Sequence, residues 1–207
     1  DGSTVLLYLD EMSYFRQPEA SQAWERRGKY QALARGSYRS NTKTRIAGTL
    51  DAVDGRVVYT QNTVIGCKEL VELYIKVREV YQHAERIYVV QDNWPVHFHP
   101  NVLVALEEQE EKWPIYRPPD WSEEPSRFAQ EKYGSLHLPI QLVPLPTYAP
   151  WTNPIEKLWR KLKQELLHLH RYADRLDELR EKVKAFLDQF AYGSLDLLRY
   201  VGLLTAY

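Results

Sequence analysis

The chain has 207 residues, 44% of them hydrophobic and 27% charged, which is enough to bury one substantial core and too mixed for a low-complexity chain. No apolar run approaches the length a membrane span needs, and Asp1-Gly2-Ser3-Thr4 lacks the basic start and cleavage site of a signal peptide. A net charge of -1 argues against a uniformly basic coat for nucleic acid. The charges are nonetheless segregated. Arg26, Arg27, Lys29, Arg35, Arg39, Lys43 and Arg45 cluster, and residues 107–124 are predominantly acidic. A single cysteine, Cys67, excludes an internal disulfide and suits a reducing cytoplasm.

In chain order, Val5-Leu6-Leu7-Tyr8-Leu9 is a short apolar run that reads as a buried strand ending in Asp10-Glu11. Residues 45–50 and 56–61 read as two further strands, joined by the turn signal Asp54-Gly55. Leu70, Leu73, Val77 and Val80 recur at near-helical spacing within residues 66–83. Ile87-Tyr88-Val89-Val90 is a second buried strand, and it too runs into an acid, Asp92. A helix is expected over residues 102–111. Residues 112–139 break the pattern, because Pro114, Pro118, Pro119, Pro125 and Pro139 forbid one long helix. Trp113, Tyr116, Trp121, Phe128 and Tyr133 argue for order there, so this segment reads as an acidic, aromatic-rich insertion in a single domain spanning 1–207. A short strand follows at residues 140–143. Asn153 then reads as the N-cap of a helix with Ile155, Leu158, Trp159, Leu162 and Leu166 as its apolar stripe. A helix over about 174–190 and a short one from Leu195 complete the chain. Strands that come first, then interleave with helices, predict an α/β fold built on a mixed sheet.

Three acids stand out. If the runs before Asp10 and Asp92 are neighbouring parallel strands, both carboxylates emerge at one edge of the sheet, where ligand sites of open α/β sheets form. Glu156 lies in the first turn of the helix after Asn153, on the flank of its apolar stripe. Converging carboxylates repel one another and need cations to stay ionised together. Hard oxygen donors with open coordination positions suit Mg²⁺ or Mn²⁺, and a pair of such ions drives phosphoryl transfer. Each acid taken singly also has an ordinary explanation, as turn or capping chemistry.

Residues 145–159, with Leu145-Pro146, Tyr148, Pro150, Asn153-Pro154-Ile155-Glu156 and Trp159, closely resemble the third motif of mariner-like DDE transposases of the bacterial insertion-sequence branch. Ala149 replaces the serine usual there. Val90-Gln91-Asp92-Asn93 with His97 resembles the second motif, and Leu9-Asp10-Glu11 with Trp24 and Gly28 resembles the first. The resemblance covers roughly residues 5 to 190. It implies an RNase H-like fold, a five-stranded mixed sheet with helices on both faces. It implies that Asp10, Asp92 and Glu156 are the catalytic, metal-binding triad, with two Mg²⁺ or Mn²⁺ ions. It further implies hydrolysis at a transposon end, then attack of the freed 3′-hydroxyl on target DNA. The expected partners are transposon-end and target DNA and, as is common in the family, a second copy of the chain. Alternatives are an RNase H-like nuclease that cuts without strand transfer and a non-catalytic DNA-binding remnant or regulator. The interval from Asp92 to Glu156 exceeds what the family usually has, and the 112–139 insertion accounts for the excess. The family's N-terminal helix-turn-helix region has no counterpart before Val5, so end recognition is expected to come from elsewhere. A cytoplasmic, nucleoid-associated location is expected.

Strand alternation separates Asp10 from Glu11, and the motif selects Asp10 as ligand. Glu11, Asn93 and His97 are auxiliary candidates near the site; Asn93 serves equally well as a brace for its turn. His97 and His99 have a His-x-His spacing, but no third ligand supports zinc. Arg26, Arg27, Lys29, Arg160 and Lys163 are candidates for DNA phosphate contact. His168 and His170 read as solvated or helix-end charges, and Trp113 and Trp121 as packing residues of the insertion.

Overall fold

The computed structural model describes residues 3–19, 34–111, 116–146 and 152–204. Five strands form one sheet: β1 (Thr4–Phe15), β2 (Lys43–Asp51), β3 (Val57–Asn62), β4 (Arg86–Gln91) and β5 (Ile140–Pro144). Their order is β3-β2-β1-β4-β5, with β1–β2 and β2–β3 antiparallel and β1–β4 and β4–β5 parallel. The sheet is therefore mixed, as expected. Strand alternation explains its two hydrophobic faces. Leu7 and Leu9 of β1 join Ile87, Val89, Ile140 and Leu142 beneath α1 (Cys67–Val80). Met12 and Tyr14 point the other way, into a cluster with α4 (Ile155–Leu162), α5 (Leu176–Asp188) and α6 (Leu195–Val201). The first face also carries α2 (Pro100–Leu103) and α3 (Arg127–Tyr133).

Local sequence explains most boundaries. Asp51 accepts the amides of Val53 and Asp54 (2.7 and 3.0 Å) and Gly55 takes φ +74°, which closes the β2–β3 turn. The Gly66 amide donates to Glu69 at 3.0 Å and starts α1. Fully burying Ile155, Leu158 and Leu162 contributes roughly 1.5–3 kcal/mol each. This anchors α4, a helix of only about two turns, against the sheet.

The structure corrects several expectations. β1 does not end at Asp10-Glu11. It continues to Phe15 because β2 pairs with it throughout, as far as Phe15↔Lys43. The helix expected over 102–111 stops at Leu103; Glu107 instead donates its amide to Leu138, and Leu138 returns the bond to Ala105, so this stretch pairs with the chain entering β5. Asn153 does not cap α4, whose N-cap is Pro154, because its side chain is turned to β1. The later part of the 112–139 segment is not separate from the core, since Ala129, Tyr133 and Leu138 are buried in it. Trp121 packs against His99, with ring centroids 4.5 Å apart; Trp113 lies outside the described residues. His170 is buried, not solvated: its Nδ1 accepts the Tyr172 amide at 3.2 Å, and burial lowers its pKa. Among the described residues, no helix is long and apolar enough to cross a membrane.

Candidate active site

β1 occupies the centre of the sheet, between β2 and β4. The parallel register that pairs Tyr8 with Val90 brings Asp10 level with Asp92 when carried two residues further. β4 ends at Gln91, and Asp92 opens the following turn by accepting the Trp94 amide at 2.9 Å. Asn93 donates to the Leu145 carbonyl at 2.9 Å, tying that turn to the end of β5. Asn93 thus braces the turn.

Asp10 and Glu11 leave β1 on opposite sides. Asp10 lies on the α4 side, where the Trp159 indole N–H donates to Oδ2 at 3.0 Å. Glu11 lies on the α1 side, where it meets His97. Two features seat α4 against Asp10. Asn153, almost fully buried, donates to the Leu9 carbonyl at 2.9 Å, and Gly48, the β2 partner of Asp10, leaves room for the Trp159 ring. A Cβ at Gly48 would stand 2.9 Å from the ring carbon Cη2. Glu156 then falls in the first turn of α4, with Arg160 one turn later.

Charge shows that the three acids share one field. Burial pushes the Asp10 carboxyl up to about 7, and the charges of Glu11, Asp92 and Glu156 add to the rise. Burial and the Asp92 charge raise Glu156, against an opposing pull from Arg160. Burial also acts upward on Asp92, but the neighbouring His97 and the hydrogen bond from the Trp94 amide outweigh it and hold Asp92 below the usual carboxylate range. His97 shows the mirror image: burial acts downward, yet Asp92 and Glu11 lift it to about 9.

Geometry groups two of the auxiliary candidates, Glu11 and His97, with Asp92. Among the described residues, the group of three side chains with ligand atoms all within 4.8 Å of one another is Glu11, Asp92 and His97. Asp10, Asp92 and Glu156 are neighbours through their charges but do not form so tight a set. Asp92 therefore belongs to both constellations. Arg160 stands beside Glu156, and Lys163 follows directly after α4. Arg26, Arg27 and Lys29 lie outside the described residues. Trp159, Asn153 and Gly48 were missed as site residues. Trp159 and Asn153 fall inside the third motif, which was the available signal; Gly48 carried none.

A mixed sheet of this order, with helices on both faces and acids at the centre and end of adjacent parallel strands, is an RNase H-like fold. Residues 5–180 match the family described as DDE superfamily endonuclease, and the chain belongs to that family. A curated relative, the insertion element IS630 uncharacterized 39 kDa protein of Shigella sonnei, is 22% identical over 183 residues, covering 88% of this chain and 44% of the relative. Among solved structures, the Mos1 mariner paired end complex with Mn is similar at TM-score 0.55 and 18% identity, covering 95% of this chain and 51% of that one. The Mos1 transposase paired-end complex with left transposon end is similar at TM-score 0.56 and 16% identity, with the same coverage. The chain thus spans about half the length of the relatives it matches.

Proposed function

We propose that this chain is the catalytic domain of a transposase that cuts DNA at transposon ends and joins the freed 3′-hydroxyl to target DNA. The observation that carries the reading is that Asp10 on β1 and Asp92, the first residue after the parallel neighbour β4, come out at one edge of the sheet, with Glu156 in the first turn of α4 within reach of their charges. The donor set fits a hard divalent ion such as Mg²⁺ or Mn²⁺. It is all oxygen; Asp92 and Glu156 raise the proton affinity of Asp10, and Asp92 raises that of Glu156, a conflict that a cation relieves. The Mos1 complexes solved with Mn and with Mg support this choice.

Asp10, Asp92 and Glu156 would hold the ions, expected to be two. Bound there, the ions would supply a polarised attacking oxygen and charge stabilisation for the departing one. The protein's own residues supply placement. Trp159 fixes one oxygen of Asp10, the Trp94 amide fixes one of Asp92, and Asn153 locks α4 to β1 so that Glu156 keeps its distance. In the first step a water attacks the phosphorus and the bond to the 3′ oxygen breaks, leaving a 3′-hydroxyl and a 5′-phosphate. In the second step that hydroxyl attacks a target phosphodiester, one bond forming as another breaks, so strand transfer needs no outside energy source. Arg160 on α4 and Lys163 directly after it are assigned to phosphate contact.

The test is nicking of supercoiled plasmid in Mn²⁺ and joining of a labelled duplex with a free 3′-hydroxyl, each compared with Asp92→Ala. The proposal expects both products from the wild type and neither from the variant. Nicking without joining would favour the nuclease alternative. Cleavage that persists in Asp92→Ala, or a wild-type chain that neither binds Mn²⁺ nor nicks, contradicts the proposal.

A further inference from the structure

The metal-site reading leaves one buried group without work. His97 is fully buried in the 3₁₀ turn Pro95–Phe98, yet it is not packed as an inert core residue. Its Nε2 lies 3.4 Å from Asp92 Oδ1 and 3.5 Å from Glu11 Oε1. Both separations exceed a well-formed hydrogen bond, and among the described residues neither Nε2 nor Glu11 Oε1 has a closer hydrogen-bonding partner. The ring itself is held in place: the Trp94 ring meets it edge-on at 5.4 Å and 89°. Glu11 is likewise mostly enclosed, its side chain 19% exposed, on the side of β1 away from Asp10.

A mostly enclosed carboxylate this close to a cation site is a hazard. Unpaired, Glu11 would be costly to bury and would compete with Asp10 for the ion. An Nε2–H shared between Glu11 and Asp92 removes both problems. It gives Glu11 a donor and joins the Trp94 amide in fixing Oδ1 of Asp92, which sets the direction of that carboxylate's other oxygen. Either the neutral Nε2–H tautomer or the cation can supply this donor, whatever the charge of His97.

We propose, building on the metal-site reading above, that Glu11 and His97 form a brace behind Asp92: His97 is a positioning residue that orients Asp92 from the far side of β1 and keeps Glu11 out of the metal coordination sphere. Partners of this kind behind a metal ligand typically change metal affinity 10–100-fold when removed.

Mn²⁺ binding to this chain, followed through the EPR signal of the free ion, tests the brace. The expected result is a Kd weakened about 10–100-fold by His97→Ala, largely restored by His97→Gln, which keeps an N–H donor, and weakened less by Glu11→Gln. Glu11→Gln should add little on top of His97→Ala, because both break the same link. Pulsed EPR of Mn²⁺ on the wild-type chain needs no variant and should show no ¹⁴N coupling. A ¹⁴N coupling would make His97 a ligand and overturn the proposal. Binding lost in Asp92→Ala but unmoved by both His97 variants would sink the brace while sparing the metal site. A wild-type chain that takes up no Mn²⁺ would overturn both.

Discussion

Replacing Asp10 with Asn should stabilise the metal-free protein, although it removes a proposed catalytic group. The folded chain holds the Asp10 pKa at about 7 against an ordinary 3.8, chiefly through burial and then through Glu11, Asp92 and Glu156. At about 1.4 kcal/mol per pH unit, this difference makes the ionised form cost roughly 4 kcal/mol in the fold. Partial solvent contact trims the figure to about 2–4 kcal/mol. The sign follows from the raised pKa. The carboxyl's contribution to stability is complete below pH 3.8 and is lost as the pH climbs to about 7. Asn is neutral throughout, and its Oδ1 can still accept the Trp159 N–H. Urea unfolding in chelator at pH 5, 6, 7 and 8 should therefore show Asp10→Asn gaining on the wild type by up to about 1.4 kcal/mol per pH unit to pH 7, then holding level. Added Mn²⁺ should stabilise the wild type and not the variant. A stability difference independent of pH, or a variant less stable than the wild type at pH 8, would mean that the fold does not raise the Asp10 pKa.

Other consequences are as specific. Because ion binding needs Asp10 ionised, Mn²⁺ uptake should release about one proton at pH 6 and almost none at pH 8, measurable by titration calorimetry in buffers of different ionisation enthalpy. Gly48→Ala places a Cβ 2.9 Å from the Trp159 ring and should cost about 1–3 kcal/mol in urea unfolding, with a shift in tryptophan fluorescence and weaker Mn²⁺ binding. Asn153→Ala removes the buried bond to the Leu9 carbonyl and should cost about 1–3 kcal/mol, lowering the nicking rate beyond any loss of folded protein.

The parts of the fold visible in sequence were those with a local cause. β4 could be bounded because Ile87 to Val90 is an unbroken apolar run with polar residues on either side. The stripe of α4 was plain because its period is that of a helix. The second half of β1 was missed because Met12 to Phe15 has no such run; its strand character comes from pairing with β2, which is far away in sequence. The helix expected beyond Leu103 failed for the same reason, since Leu138 competes for its backbone groups. At the site, Asp10, Asp92 and Glu156 could be picked out by residue type and motif. The use of Trp159 as a hydrogen-bond donor could not, because its place in an apolar stripe reads as packing until α4 is set against Gly48. His97 was visible as a candidate, but its pairing with Glu11 depends on which face of β1 each residue takes.

The most direct check on the account is where a divalent ion sits. Crystals of this chain soaked in Mn²⁺ and measured at the manganese absorption edge would give an anomalous peak. That peak should fall on the α4 side of β1, within coordination distance of Asp10 and Asp92 and facing Glu156. A peak lying only among Glu11, Asp92 and His97, or none at saturating Mn²⁺, would contradict it.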